Sequence, residues 1–189
     1  MCHAQLADPN FFRLLLRIDE ELAGDTRARG CPCGGVLHRA NYPRKPRACL
    51  AEVLADFVFR FSFCCGLCRK RSTSLSVRFL GRRVYLALAV VLGSARHAGQ
   101  TPAAAQIGQA LGVSGRTLQR WRQWWRQQFP LTPLWQAAGA RFMPPVDLTL
   151  LPASLLARFA GPAAESLMHC LVFLTPLSVG WSIALREGR

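Results

Sequence analysis

Cysteine is the residue type of this chain best suited to chemistry, and five of its eight cysteines fall into two short motifs. The first reads Cys31-Pro-Cys33-Gly-Gly and the second reads Cys64-Cys65-Gly-Leu-Cys68. Two turns of this kind can hold four thiolates in the tetrahedral geometry that Zn²⁺ prefers, and the metal then stabilises a region too small to bury a core of its own. The spacing predicts a structural zinc site formed by Cys31, Cys33, Cys65 and Cys68.

The second motif leaves a choice between Cys64 and Cys65 as the ligand. Cys65 is favoured because Cys-x-x-Cys is the usual spacing of a zinc-binding turn, and Cys64 would then point away from the sheet. His38, interpreted as a surface residue of a strand, and Cys49 are spare donors. A catalytic zinc needs an open coordination position near a carboxylate, and the sequence around Cys68 offers none, so the predicted role of the metal is structural.

Hydrophobic alternation around the cysteines predicts a small sheet. Phenylalanine occupies every second position from 57 to 63, which is the period of a β-strand with one buried face. Strands at Val36–Ala40 and Ser74–Phe79 would complete the sheet, and Tyr42–Arg47 would form a basic loop. Residues 29–80 are therefore predicted to form a three-stranded zinc ribbon.

Positive charge is concentrated in the middle of the chain. The formal net charge is +14, and residues 69–129 hold eleven Lys and Arg but no Asp or Glu. The stretch from Phe57 to Val146 contains no acidic residue at all. A surface with many cations and no anions is suited to a polyanion, and we expect double-stranded DNA as the partner.

Capping residues and apolar spacing predict three helices in this basic region. Residues 81–97 are strongly apolar, Thr101-Pro102 provides the N-cap and first-turn proline of a second helix, and Gly112 is a typical C-terminal glycine. Ser114 would then cap a third helix. Residues 81–130 are therefore predicted to form a helix-turn-helix domain that binds DNA.

The third helix has a buried face and a cationic face. The buried face is a stripe at i, i+3 and i+7 formed by Leu118, Trp121 and Trp125. The first residues of the last helix in a helix-turn-helix reach base edges in the major groove, where arginine prefers guanine and glutamine prefers adenine. Residues predicted to reach base edges are Arg116, Thr117, Gln119 and Arg120, with Ser114 and Gln123 in the same interface. Residues predicted to contact phosphate are Arg82, Arg83, Arg122 and Arg126.

The two ends of the chain differ from the basic middle. Residues 1–28 are predicted to form an amphipathic helix and a linker: the helix ends at Gly24, exposes Asp19, Glu20 and Glu21, and is followed by a polar linker at 25–30. Residues 131–189 are predicted to form a proline-rich arm with short helices. Its apolar segment 167–185 is interpreted as a packing or oligomer-forming hairpin rather than a membrane span. The expected fold class is α+β.

Three motifs resemble a family of short bacterial proteins that are associated with insertion sequences and described as transposase-like. They are Cys33-Gly-Gly with Leu37-His-Arg39, Tyr42-Pro-Arg-Lys-Pro-Arg47 and Ser76-Val-Arg-Phe-Leu-Gly-Arg-Arg83. The resemblance implies a zinc ribbon and helix-turn-helix that recognise the termini of a mobile element. It also implies a first knuckle of the Cys-Pro-x-x-Cys type, in which the two cysteines stand further apart than Cys31 and Cys33 do here.

Catalysis is not expected from this chain. Strand transfer by transposases needs three acidic residues that hold two metal ions. Only Asp147, Glu165 and Glu187 follow the predicted helix-turn-helix, and they lie on no recognisable strand framework. The prediction is a cytoplasmic, nucleoid-associated DNA-binding protein with no membrane contact, and it leaves open a homodimer and a separate transposase or integrase subunit as partners. The alternatives are a zinc-containing transcriptional regulator and, in another class, a protein-interaction adaptor.

Overall fold

Helices and two small antiparallel sheets make up the fold, in agreement with the expected α+β class. The computed structural model describes residues 2–81, 85–95 and 113–179. The α-helices are α1 (Pro9–Arg29), α2 (Leu54–Phe57), α3 (Ala87–Ser94), α4 (Gly115–Gln127), α5 (Pro133–Ala138), α6 (Ala153–Leu156) and α7 (Ala163–Phe173). The strands are β1 (Leu37–Arg39), β2 (Tyr42–Pro43), β3 (Phe59–Arg60), β4 (Ser62–Cys65) and β5 (Arg71–Thr73). Short 3-10 turns connect several of them, at Cys2–Ala7, Ala51–Val53, Phe129–Leu131, Gly139–Arg141, Leu148–Leu150 and Thr175–Val179.

Helix α1 is longer than its sequence predicts. Its N-cap is Asp8, and its C-cap is Gly30, which has a φ of 69°. The predicted end at Gly24 and the predicted linker at 25–30 are wrong. An interior glycine costs a helix only about 1 kcal/mol, and Ala23 and Thr26 on either side of it are buried, so packing carries the helix past this position.

Asp19, which the sequence predicts to be exposed, is completely buried. Its carboxylate accepts from Arg78 Nε at 2.7 Å and from the backbone N–H of Val77 at 2.7 Å, and the Ser76 hydroxyl also donates to it. A buried carboxylate is tolerated only when it is paired and hydrogen-bonded. Asp19 therefore fastens α1 to the segment that follows the larger sheet.

Arginines extend this buried polar network. Arg78 also donates to the carbonyl of Asp56 at 2.8 Å, and its guanidinium lies 5.0 Å from the centroids of both the Phe57 and Phe61 rings. Arg60, equally buried, donates to the Ser178 hydroxyl at 3.1 Å. The two guanidinium groups thus connect α1, β3 and the segment that follows β5 to the C-terminal part of the fold.

The larger sheet has the order β1-β4-β5, and all of its neighbouring strands are antiparallel. The third strand is not Ser74–Phe79, as predicted, but Arg71–Thr73. In residues 76–79, Ser76, Val77 and Arg78 instead donate hydrogen bonds to Asp19, and the side chains of Val77 and Phe79 pack in the main core. The larger sheet has three strands, but its last strand is displaced toward the N-terminus of the predicted one. Tyr42–Pro43, predicted as part of the basic loop Tyr42–Arg47, is strand β2 and pairs with β3 in a second sheet that the sequence does not predict.

The predicted strand through Phe57–Phe63 is divided among three elements. Phe57 ends α2 and packs in the main core, whereas Phe61 and Phe63 belong to a second, small core beside Leu37. The smaller sheet pairs β2 with β3, so the chain changes sheets at Phe61. Phe57, Phe61 and Phe63 are buried as the alternating pattern predicts, but they pack into two different cores.

The main core is built by every part of the chain that was predicted as a separate segment. Its members include Phe12 of α1, Leu88 of α3, Trp125 of α4 and Leu171 of α7. Helix α3 begins at Ala87, later than expected, because Tyr85 and Leu86 are extended and bridge to Arg47 and Phe79. The predicted domain boundaries therefore remain predictions, while the packing is continuous across them.

Helices α3 and α4 pack closely at Gly93. A Cβ at this position would lie 3.2 Å from Leu118 Cδ2 and 3.2 Å from the Trp121 ring. The predicted second helix at 101–111 and Gly112 lie outside the described residues. The helix-turn-helix therefore remains a prediction, and the contact between its first and last helices is what the structure shows.

The apolar C-terminal segment forms a short helix. Helix α7 ends at Phe173, a 3-10 turn follows at Thr175–Val179, and residues 180–189 lie outside the described part. Within residues 2–81, 85–95 and 113–179, no helix has the length and apolar character that a membrane crossing requires.

Replacing Asp19 by Asn should destabilise the fold strongly. The change leaves the Arg78 guanidinium buried without its counter-charge, which costs about 3–5 kcal/mol. The neighbouring exposed Glu20 provides the control, since Glu20→Gln should change the free energy of unfolding by less than about 0.5 kcal/mol. Urea denaturation followed by tryptophan fluorescence measures both. Equal effects of the two substitutions would contradict the assigned role of Asp19.

Candidate metal centre and nucleic-acid interface

Two tight turns in the larger sheet present the cysteines. In the first, the backbone N–H of Gly34 donates to the carbonyl of Cys31 at 2.8 Å. In the second, the N–H of Arg69 donates to the carbonyl of Cys65 at 3.1 Å. The pairing of β1 with β4 places Leu37 opposite Cys65 and so sets the two turns side by side.

The four sulfur atoms of Cys31, Cys33, Cys65 and Cys68 form one group, which we call the thiol cluster. All of them lie within 4.8 Å of one another. The closest pairs are Cys31–Cys33 at 3.4 Å, Cys31–Cys68 at 3.5 Å and Cys33–Cys65 at 3.5 Å. Tetrahedral zinc with Zn–S bonds of about 2.3 Å requires sulfur atoms about 3.8 Å apart, and none of the four forms a disulfide. The donor set therefore suits a metal ion.

Backbone N–H groups of the turns favour the thiolate form of two of these cysteines. The N–H of Cys68, followed by that of Leu67, lowers the pKa of Cys65 to about 6. The N–H of Gly35 is the main cause of a lowered pKa at Cys33. Thiolates are the form that binds metal, so the turns prepare these two sulfurs for it before any ion arrives.

The other candidate donors lie outside the cluster. The sulfur of Cys64 hydrogen-bonds to the carbonyl of Arg69 at 3.4 Å, whereas Cys65 is fully buried within the cluster. Exposed His38 stands opposite Cys64 on β1. Cys49 packs against the main core, and burial raises its pKa to about 11. Among the described residues, the thiol cluster is the only group of three or more His, Cys, Asp or Glu donors close enough to share an ion.

Helix α4 presents a row of polar and cationic side chains. The Ser114 hydroxyl accepts from the N–H of Thr117 at 3.3 Å and is the N-cap, as its position in the sequence predicts. Trp121 and Trp125 are buried, and they anchor the helix on the main core. The exposed residues that were predicted to face DNA are Arg116, Gln119, Arg120, Gln123 and Arg126.

Some residues predicted to contact DNA do not share this exposure. Thr117 is buried, and its hydroxyl lies 3.0 Å from that of Ser114, so it stabilises the start of α4 rather than projecting toward a base. Arg122 is half-buried. Arg82 and Arg83 lie outside the described residues.

A groove beside α4 contains residues that the sequence did not assign to the site. It runs between α4 and the basic loop that follows β2, and it is lined by Arg47, Tyr85, Thr117, Arg120, Trp121, Gln123, Trp124, Gln127 and Gln128. Arg47 and Tyr85 are far apart in the sequence and meet through a short bridge. No local sequence pattern predicts this contact, although the sequence does show that the loop is positively charged.

Comparison of the chain with models of protein families, with characterised proteins and with solved structures finds no match. The resemblance to insertion-sequence proteins therefore rests on the three sequence motifs alone.

Adding a methyl group at Gly35 should disturb the thiol cluster. An alanine Cβ there would lie 2.5 Å from Cys65 Sγ and 3.1 Å from Leu67 Cβ, so the turn must shift. We expect Gly35→Ala to cost about 1–3 kcal/mol of stability and to weaken metal retention. Gly24→Ala is the matched control, because nothing lies within 4 Å of that position and an alanine should stabilise α1 by about 0.5–1 kcal/mol. Thermal unfolding and elemental analysis of both purified variants test this, and wild-type behaviour of Gly35→Ala would refute it.

Proposed function

We propose that this protein binds double-stranded DNA through α4 as part of a mobile genetic element, that a zinc ion in the thiol cluster stabilises it, and that it performs no catalysis. The observation that carries the proposal is the set of exposed cations on α4, with Arg116 and Arg120 on one stripe and Arg126 on a second, within a stretch that has no acidic residue from Phe57 to Val146. An ordinary solvated helix mixes charges of both signs. A run of cations without any anion favours a polyanionic partner.

The arginines at the two ends of α4 have different proposed roles. Arg116 and Arg120, with Gln119, lie in the first turns after the Ser114 cap, where a recognition helix meets base edges. Arginine there would pair with guanine and glutamine with adenine. Arg126 lies in the last turn, where a contact to phosphate positions the helix without reading sequence.

The thiol cluster supports a structural role for zinc. Its four sulfurs have spacings suited to tetrahedral coordination, and two of them are buried. Cys31 and Cys33 from one turn, with Cys65 and Cys68 from the other, would hold the ion, which supplies a cross-link between the ends of β1 and β4. A small core such as that around Phe61 and Phe63 needs such a cross-link.

The acidic residues support a non-catalytic chain. Asp147 accepts from both the N–H and the hydroxyl of Thr149, which lowers its pKa and commits it to capping a turn. Glu165 lies on α7, and Glu187 lies outside the described residues. Chemistry on DNA would then come from a separate transposase or integrase subunit, and the target sequence would distinguish this function from that of a transcriptional regulator.

The metal proposal predicts opposite behaviour for adjacent cysteines. Cys65→Ser should lose zinc and unfold the larger sheet, since structural zinc contributes folding energy directly. Cys64→Ser should retain a single zinc ion per chain, as four remaining thiolates require. Native mass spectrometry and chelator competition measure this pair. Equal zinc content in the two variants would exclude the assignment.

The DNA proposal predicts different effects along α4. Arg116→Ala and Arg120→Ala should each relax base preference by about 1–3 kcal/mol at one position of the selected site, whereas Arg126→Ala should weaken all sequences alike and lower the salt slope by about 1. Selection from a random duplex library, followed by gel shifts over a salt series, measures both quantities.

A flat salt response would contradict DNA binding, because contacts to phosphate release counterions and make affinity fall steeply with salt. That outcome, or no binding to duplex DNA at low salt, would favour the protein-interaction adaptor. Identical behaviour of all three arginine variants would refute the division of roles.

A further inference from the structure

The groove beside α4 is lined by cationic side chains from two separate elements. Arg120 belongs to α4, Arg47 belongs to the loop that follows β2, and both are exposed. Lys45 on the same loop is also exposed. None of the described residues that line the groove is acidic. Like charges placed across a groove repel each other, and a ligand anion between them relieves the repulsion.

Packing holds Arg47 in place beside α4. The N–H of Leu86 donates to the carbonyl of Arg47 at 3.3 Å, and Arg47 is bridged to Tyr85. The Arg47 guanidinium lies 5.9 Å from the centroid of the Tyr85 ring. That ring in turn meets Trp121 of α4 edge-on, with centroids 4.9 Å apart. The basic loop is thus held against the helix by an aromatic contact.

The aromatic floor of the groove is committed to the protein itself. Trp121 is 4 % exposed, and Trp124 packs edge-on against Trp125 with ring centroids 4.9 Å apart. A base stacking in the groove would need a free ring face. The exposed groups that line the groove are the guanidinium groups of Arg47 and Arg120 and the amides of Gln123, Gln127 and Gln128. Of these, only the guanidinium groups carry charge, and they suit phosphate.

We propose that Arg47 and Arg120 together hold the DNA duplex that α4 binds, as a clamp in which Arg47 contacts a backbone phosphate while Arg120 reaches the neighbouring base edge. This inference rests on the proposed function and extends it, because it places part of the interface on the cysteine-bearing half of the molecule. Arg47 then acts through its charge, and the phosphates it neutralises add to those contacted by α4.

The test compares Arg47→Gln, Arg47→Lys and Arg120→Gln with the wild-type chain, and Arg17→Gln on α1, an exposed arginine that does not line the groove, serves as the control. Fluorescence anisotropy with a labelled duplex and with a single strand of the same length is recorded over a NaCl series. Arg47→Gln should weaken duplex binding about tenfold at low salt and lower the slope of log K against log salt by about 0.9. Arg47→Lys should retain the slope, and Arg17→Gln should match the wild type.

Each other outcome overturns the clamp in a distinguishable way. Wild-type affinity and slope in Arg47→Gln, with loss in Arg120→Gln, would remove Arg47 from the interface and leave the proposed function intact. An effect on single-stranded DNA alone would exclude a duplex clamp. Loss of circular dichroism or bound metal in both Arg47 variants would make the residue structural. Failure of the wild-type chain to bind the duplex would overturn the clamp and the proposed function together.

Discussion

The buried carboxylate of Asp19 constrains the arrangement of the rest of the molecule. Two arginines, Arg60 and Arg78, are fully buried, and a guanidinium removed from water is tolerated only with charge compensation and hydrogen bonds. Asp19 supplies the charge to Arg78, and backbone carbonyls with the Ser178 hydroxyl supply acceptors to Arg60. These groups come from α1, β3, the segment after β5 and the C-terminal turn Thr175–Val179, so their contacts form only when all of these are correctly placed. A polar network of this kind specifies one arrangement of a core that apolar contacts alone would allow to slide.

That constraint explains why a sheet with so small a core keeps a fixed position. The second core contains Ala23, Cys31, Leu37, Phe61, Phe63 and Cys65, which is too little apolar surface for an independent domain. Ala23 belongs to α1, so the helix that carries Asp19 also closes this core. The ion pair therefore attaches this small sheet to the main core, and the zinc ion proposed for the thiol cluster would hold its turns together.

Local signals in the sequence predicted the parts of the structure that depend on near neighbours. The spacing of Cys65 and Cys68 indicated the second turn, Ser114 indicated the start of α4, and the tryptophan stripe indicated its buried face. The predictions were wrong where contacts between residues far apart in the sequence determine the structure. Asp19 is followed by Glu20 and Glu21, so the local sequence indicates a solvent-exposed acidic face. Its ion-pair partner, Arg78, is distant in the sequence. The segment after Thr73 alternates like a strand, yet it hydrogen-bonds to that carboxylate and packs in the main core instead of pairing in the sheet. Likewise, the contact of Arg47 with Tyr85 depends on tertiary packing that no short pattern encodes.

The continuity of these contacts bears on how the two halves of the chain could act together. β1 follows the first cysteine turn, and β2 and the basic loop after it lead to Arg47. Arg47 bridges to Tyr85, whose ring meets Trp121 of α4. Trp121 also lies against Gly93, so α3 and α4 are held at the same point. A displacement of the cysteine turns would reach α4 through β1 and the loop, because closely packed interiors transmit strain instead of absorbing it. The cysteine-bearing sheet is therefore better understood as part of the support for α4 than as a separate module joined to it by a linker.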